Sequence, residues 1–245
     1  MADKNNAEVT ILIPTRFDSR YMLRLCLLSM ERHTTIPYKV IIGDTGIDQQ
    51  TKEFLTDFMK TRPYIKLIEC PEPKVWAKNF LARQVDTEYF MFLHDDTQIK
   101  KTGWLKHRLD IMKSNPKIGI LGVVVSNFLY GWKSRIRFSV LDNRFWPLVL
   151  LVRTKTQKEL DLRWYVIPGF DMGAIAYLQF KRQKKWKFKK YKFNKDVLHW
   201  GGMTWVVRKK VDNEGMKNLD SHINRREMLM EKIKSVLKEE YEVDS

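Results

Sequence analysis

The chain has 245 residues, 44% hydrophobic and 30% charged, the composition of a globular protein able to bury a substantial core. No apolar run approaches the ~20 residues of a membrane span; the longest, 145–152, is bounded by Arg144 and Arg153. Forty-five basic against 29 acidic side chains give +16, which points to an acidic partner: a nucleotide, an anionic membrane or a nucleic acid.

The amino-terminal residues are polar and carry no secretion signal, and the two cysteines, Cys26 and Cys70, lie in no ligand-spaced cluster. Both read as small buried hydrophobes of a reducing compartment. Val9–Ile13 reads as a first strand stopped by Pro14, followed by a helix with Met22, Leu25, Cys26 and Leu28 on one face. Residues 39–42 form a second strand ending in Gly43-Asp44-Thr45-Gly46. A helix over 51–59, a strand over 65–68 and a helix over 75–85 come next. The aromatic run 89–94 is a buried strand ending in Asp95-Asp96. An amphipathic helix over 101–115 and an apolar strand over 118–125 complete the regular part. This alternation builds an α/β, mostly parallel, Rossmann-like sheet with helices on both faces.

Beyond Ser126 the periodicity weakens, and 126–165 shows no clear element order. A short strand is expected over 164–167 and a helix over 171–180. Residues 181–195 hold nine Lys or Arg and no acid. There Trp186, Phe188, Tyr191 and Phe193 alternate with lysines, as in an edge strand with a bulge. The final stretch, with Leu219, Ile223, Met230, Ile233 and Leu237 at helical spacing, is an amphipathic closing helix.

The carboxyl edge of such a sheet carries Thr15, Asp44, Asp95 and Asp96 after strands one, two and four. Asp95-Asp96 has two readings: a solvated turn that caps the next helix, or an acidic pair that needs a divalent cation to offset its repulsion. Asp44 can accept hydrogen bonds from a base or a ribose. Asp96 can reach a phosphate only through a metal. Together they describe a metal-bridged nucleotide diphosphate lying across the sheet edge.

Several segments resemble family 2 glycosyltransferases of the GT-A nucleotide-sugar fold: 9–15 as the first strand, 41–48 as the nucleoside-contacting motif, 76–80 as the helix before the metal motif, and Leu93-His94-Asp95-Asp96 as the Asp-x-Asp region. Here His94 stands where a strict Asp-x-Asp has its first acid. The resemblance implies a single domain over 1–245. It would comprise a nucleotide-sugar-binding half (9–125), an acceptor and catalytic half (126–205, with 126–165 as acceptor-side loops) and a helical extension (206–245). It further implies that Pro14, Thr15, Arg16, Asp44, Lys78 and Asp95 bind the nucleotide-diphosphate-sugar donor. Asp96 and His199, the latter in a His-Trp-Gly-Gly segment, would ligate Mn²⁺ or Mg²⁺. Asp171 would be the general base, although Phe170 and Gly173 replace the acids that flank it in the family; it also reads as a helix N-cap. His199 also reads as structural, and His94 as an orienter of the acids.

The reaction implied is inverting transfer to an acceptor hydroxyl on a surface glycan or lipid-linked precursor. The setting would be the cytoplasm, with peripheral contact at the inner face of an anionic membrane. Two alternatives stay open: a DNA-modifying glycosyltransferase acting on a hydroxymethylated base, and a non-catalytic nucleotide-sugar or nucleic-acid binding module.

Overall fold

The computed structural model describes residues 6–71, 76–125, 144–146, 148–164, 173–191, 196–200 and 219–243. In chain order these form β1 (Val9–Phe17), α1 (Arg20–His33), β2 (Lys39–Ile47), α2 (Gln49–Met59), β3 (Ile65–Glu69), α3 (Ala77–Arg83), β4 (Tyr89–Leu93) and β5 (Thr97–Ile99). Next are α4 (Trp104–Ser114), β6 (Ile118–Gly122), β7 (Val124–Val125), β8 (Arg144–Phe145), β9 (Val149–Arg153) and α5 (Thr154–Leu160). The last are α6 (Ala174–Lys181), β10 (Lys187–Lys190), β11 (Val197–His199) and α7 (Leu219–Tyr241).

Seven strands form one sheet in the order β10-β6-β9-β4-β1-β2-β3. β3, β2, β1 and β4 pair in parallel, and β10 pairs in parallel with β6. β9 runs antiparallel between β4 and β6. The alternation of side chains along each strand divides the core between two faces. Ile11, Ile13, Met91 and Leu93 pack with Leu23, Leu55, Leu105 and Leu109 of α1, α2 and α4. Leu12, Phe90 and Phe92 pack with Leu81 of α3, Phe180 of α6, Trp164 and Trp186. The closing helix α7 seals Ile233 and Leu237 against Met22 and Leu25 of α1. No described helix is long and apolar enough to cross a membrane.

The expected sheet with helices on both faces is present, with three differences. β1 does not stop at Pro14. Its pairing with β4 ends at Leu12, so beyond that point it needs donors only toward β2, and a proline is accommodated. The stretch 126–165, expected to be irregular, contains β9, every residue of which is buried, and then α5. Trp164 lies outside any strand, and 165–167 fall outside the described residues. The edge-strand reading of the basic segment holds for Lys187–Lys190, the terminal strand β10; the register shift falls between Lys187 and Phe188 rather than between Phe188 and Tyr191, and Phe193 lies outside the described residues. Both cysteines are buried, and neither is in a disulfide.

Candidate active site

The register brings the polar strand ends onto one edge. Thr15 of β1 lies opposite Asp44 of β2. β1 also pairs with β4 up to Leu12 opposite Phe92, so β4 delivers the chain to the same edge before it turns at 95–96. Asp44 and the Asp95-Asp96 pair therefore sit two strand spacings apart, about 10 Å.

Asp44 is buried, and its carboxylate is engaged by its own loop. Oδ1 accepts from the Gly46 and Ile47 amides at 2.7 and 2.9 Å, and Oδ2 faces Lys52 Nζ at 3.4 Å. Gly46 supplies the positive φ of 104° that closes this turn. Burial pushes the carboxyl upward, but the Ile47 and Gly46 amides and Lys52 more than offset it and leave it below its ordinary value. Beside it, Thr15 is fully buried; its carbonyl accepts from the Thr45 hydroxyl at 2.7 Å. Arg16 is exposed, its guanidinium 4.2 Å above the Phe17 ring. Pro14 is half-buried, paired with Gly43.

After β4 the chain turns through Asp95 and Asp96 into β5, which runs antiparallel to β11 with Thr97 opposite His199. The Trp200 amide donates to the Asp96 carbonyl at 2.9 Å, and the Lys100 amide to the Asp196 carbonyl at 2.9 Å. These two bonds fix β11 at the end of β4. The result joins residues a hundred positions apart: His199 Nε2 is 3.0 Å from Asp96 Oδ1. His94 Nδ1 is 3.9 Å from the same oxygen. One ligand atom from each of His94, Asp96 and His199 lies within 4.8 Å of the others.

The two acids titrate in opposite directions. Asp95 is raised, chiefly by burial and then by the charge of Asp96. Burial also works against ionised Asp96, but the hydrogen bond and charge of His199 hold it below its ordinary value. Asp96 is thus the anion of the pair. His94 is pushed down to about 3 by burial and by the neighbouring Lys78 ammonium, so its contact with Asp96 is not an ion pair at neutral pH. Lys78, on the first turn of α3, is buried with Nζ 3.2 Å from His94 Nε2. An ammonium only donates, so Nε2 accepts and the ring proton sits on Nδ1, toward Asp96.

This geometry decides how the residues fit a metal. Donors bound to one first-row ion at about 2.1 Å lie no more than ~4.2 Å apart, so a cluster whose atoms lie within 4.8 Å of one another needs a closure of at most roughly 0.6 Å. Asp96 fits as a ligand directly, and His199 fits once the Nε2 proton that it donates to Asp96 is given up. His94 fits once its ring proton moves from Nδ1 to Nε2 and Lys78 turns away; otherwise it only faces Asp96, at 3.9 Å beyond hydrogen-bond reach. Sequence alone gives His94 only the role of an orienter. Its spacing, two residues before Asp96, matches the first Asp-x-Asp position and is the signal that identifies it as a candidate ligand.

Asp171 lies outside the described residues, as does Phe170. Gly173 is described, and it explains one departure from the family pattern. A Cβ at 173 would stand 2.0 Å from the Phe145 carbonyl oxygen, so no side chain, acidic or otherwise, fits there.

A family model described as Glycosyl transferase family 2 matches residues 10–195. No curated protein matches the chain in sequence. Among solved structures, the mannosyltransferase PcManGT from Pyrobaculum calidifontis, in complex with GDP-Man and Mn²⁺, superposes with a TM-score of 0.55 at 14% identity, over 96% of this chain and 76% of that one. Residues 1–349 of S. aureus TarS give 0.54 at 15% identity, over 95% and 72%. The galactosyltransferase LgtC, in complex with donor and acceptor sugar analogues, gives 0.53 at 10% identity, over 75% and 73%. These likenesses establish the GT-A fold. The matched span reaches from the first strand of the sheet to beyond its last, and by it the chain belongs to glycosyl transferase family 2.

Proposed function

We propose that the protein is a metal-dependent, inverting glycosyltransferase that moves a sugar from a nucleotide diphosphate to an acceptor hydroxyl. The observation that carries this reading is the approach of His199 to ionised Asp96 at 3.0 Å, beside His94, on the carboxyl edge of the sheet. Nucleotide-sugar donors are also what PcManGT and TarS hold, as GDP-Man and UDP-GlcNAc. Asp96 and His199 would hold the cation, Mn²⁺ in preference to Mg²⁺ because an imidazole stands beside the carboxylate. Such an ion neutralises charge that grows on the leaving diphosphate. Asp44 and Thr15 frame the edge where the nucleoside would lie, with Pro14 and Arg16 beside them. Lys78 holds His94 in position. Asp95, raised toward its protonated form, can donate to a ribose or sugar oxygen. Asp171 would take the acceptor hydroxyl's proton as that oxygen bonds to the anomeric carbon and the bond to the diphosphate breaks, inverting the centre. The acceptor would be a surface glycan or its lipid-linked precursor.

The test is thermal denaturation with a panel of nucleoside diphosphates, with and without Mn²⁺. One selective diphosphate at 100 Kd should add about 2.7 kcal/mol, or roughly 5–10 °C, only with metal present. Asp96→Asn should abolish the metal-dependent part. Asp171→Asn should keep it while losing at least ~100-fold in transfer rate. An equal shift with and without Mn²⁺ in the unaltered protein would refute the metal assignment.

A further inference from the structure

The strongest unexplained feature lies at the far end of the sheet from Asp44. Seven of the ten residues 181–190 are Lys or Arg, and all seven are exposed. Among the described residues their one carboxylate partner is Glu159, 2.6 Å from Lys185. Lys155 and Lys158 of α5 add two more exposed cations at this corner. A lysine or two would suffice to keep β10 from pairing with another edge; a density this high, unneutralised, calls for an anionic counterpart.

The composition of the strip selects among anions. Its aromatics are turned inward: Trp186 is buried, and Phe188 packs on Phe145 with ring centroids 4.9 Å apart. The exposed large hydrophobics of the described chain are Trp76, Leu198 and Met228, none of them on the strip. Single-stranded nucleic acid needs exposed aromatic platforms, and bidentate phosphate recognition needs arginine. Here six of the seven cations are lysines, flexible point charges suited to a diffuse negative surface. The strip is also oriented with the site. β10, β6 and β4 point the same way, and the register sets Lys190 level with Phe92 of β4, three strand spacings or about 14 Å across the sheet, with Asp96 four residues further toward the same edge.

We infer that the β10 edge is a docking surface for an anionic phospholipid membrane, one that sets the candidate active site beside the bilayer, where a lipid-linked acceptor would be within reach. The docking surface is argued from the charge, composition and orientation of this edge; only the lipid-linked acceptor rests on the glycosyltransferase reading.

The experiment is co-sedimentation with vesicles of phosphatidylcholine, alone or with about 30 mol% phosphatidylglycerol. The strip variant Lys187→Gln/Lys189→Gln/Lys190→Gln is compared with Lys60→Gln/Lys66→Gln/Lys101→Gln, which has the same net charge but is altered elsewhere. Each lysine at the surface contributes about fivefold, so the strip variant should lose on the order of a hundredfold in partitioning to anionic vesicles and the second variant far less. Asp96→Asn should bind vesicles like the unaltered protein, which separates this result from the fate of the metal site. Equal losses in the two triple variants, or equal binding to neutral and anionic vesicles, would overturn the inference. So would a DNA duplex that binds more tightly than vesicles and loses affinity with the strip variant, since it would assign the edge to nucleic acid.

Discussion

The ion pair between Arg108 of α4 and Asp196 is the most exacting test of how the candidate site is held. Nη1 and Oδ2 are 2.7 Å apart, with side chains 3% and 4% exposed. Arg108 Nη2 and Asp196 Oδ1 have no further hydrogen-bond partner among the described residues, so each charge is compensated chiefly by the other. The guanidinium also lies 4.3 Å above the Tyr191 ring and donates to the Trp104 carbonyl at 2.9 Å. Asp196→Asn keeps the shape and leaves Arg108 as a buried, unpaired cation, which costs about 3–5 kcal/mol. For a chain of this size that lowers Tm by roughly 10 °C. Arg108→Met should cost a similar amount, and the double variant should recover most of it, giving a coupling of at least ~2 kcal/mol in urea denaturation. The loss should extend to the site. The Asp196 carbonyl takes the Lys100 amide, and His199 comes three residues later on β11, so Mn²⁺ affinity should fall about 10–100-fold in Asp196→Asn. A single variant within ~1 kcal/mol of the unaltered protein, or a double variant equal to the sum of the singles, would refute the argument.

The geometry sets three further outcomes. Asp44→Ala removes the acceptor of two backbone amides and should cost about 1–3 kcal/mol, whereas Asp44→Asn keeps an Oδ1 in place and should cost much less; chemical denaturation of both variants distinguishes a turn-holding role from one confined to the donor. Asp95 is raised in the folded protein, so its contribution to stability is complete below the unfolded pKa near ~3.9 and is lost as pH rises through the folded value. Metal-free protein should therefore lose stability on this account from about pH 4 to the folded value of about 7, and Asp95→Asn should flatten that slope in denaturation series; a steeper slope in the variant would contradict the shift. Gly173→Ala forces a methyl onto the Phe145 carbonyl oxygen, 2.0 Å away, and should cost at least ~1–3 kcal/mol by the same measurement.

The sequence carried the first half of the fold because its strands and helices there are bounded by clear turn chemistry and keep one period each. β9 escaped for a physical reason. A strand buried on both faces shows no alternation, and Val149–Val152 end a continuous apolar run with Pro147 nearby. α5 escaped because its buried face is built from Thr154, Thr156 and Gln157 rather than from aliphatic residues. Such a helix is specified by its contacts: Gln157 receives the Trp164 indole at 2.7 Å and donates to the Leu162 carbonyl at 2.8 Å, neither of them visible as periodicity.

The candidate site was legible to a different depth. Residue types at strand ends marked Asp44, Asp95 and Asp96, because an open sheet exposes its carboxyl edge wherever the chain goes next. What those residues do depends on partners that no local pattern names. Asp44 spends one oxygen on its own turn and faces Lys52 with the other, so the nucleoside contact proposed for it would compete with contacts already made. Asp96 becomes the anion of the acidic pair because β11 delivers His199 to it, and β11 is there because two amides, those of Trp200 and Lys100, join it to the end of β4. Asp95, with the same side chain one residue earlier, lacks that histidine and is driven the other way. Two adjacent and identical residues thus acquire opposite electrostatic roles from a pairing a hundred residues distant. For that reason the chemistry of this edge depends on the β5–β11 register more than on the acidic motif itself.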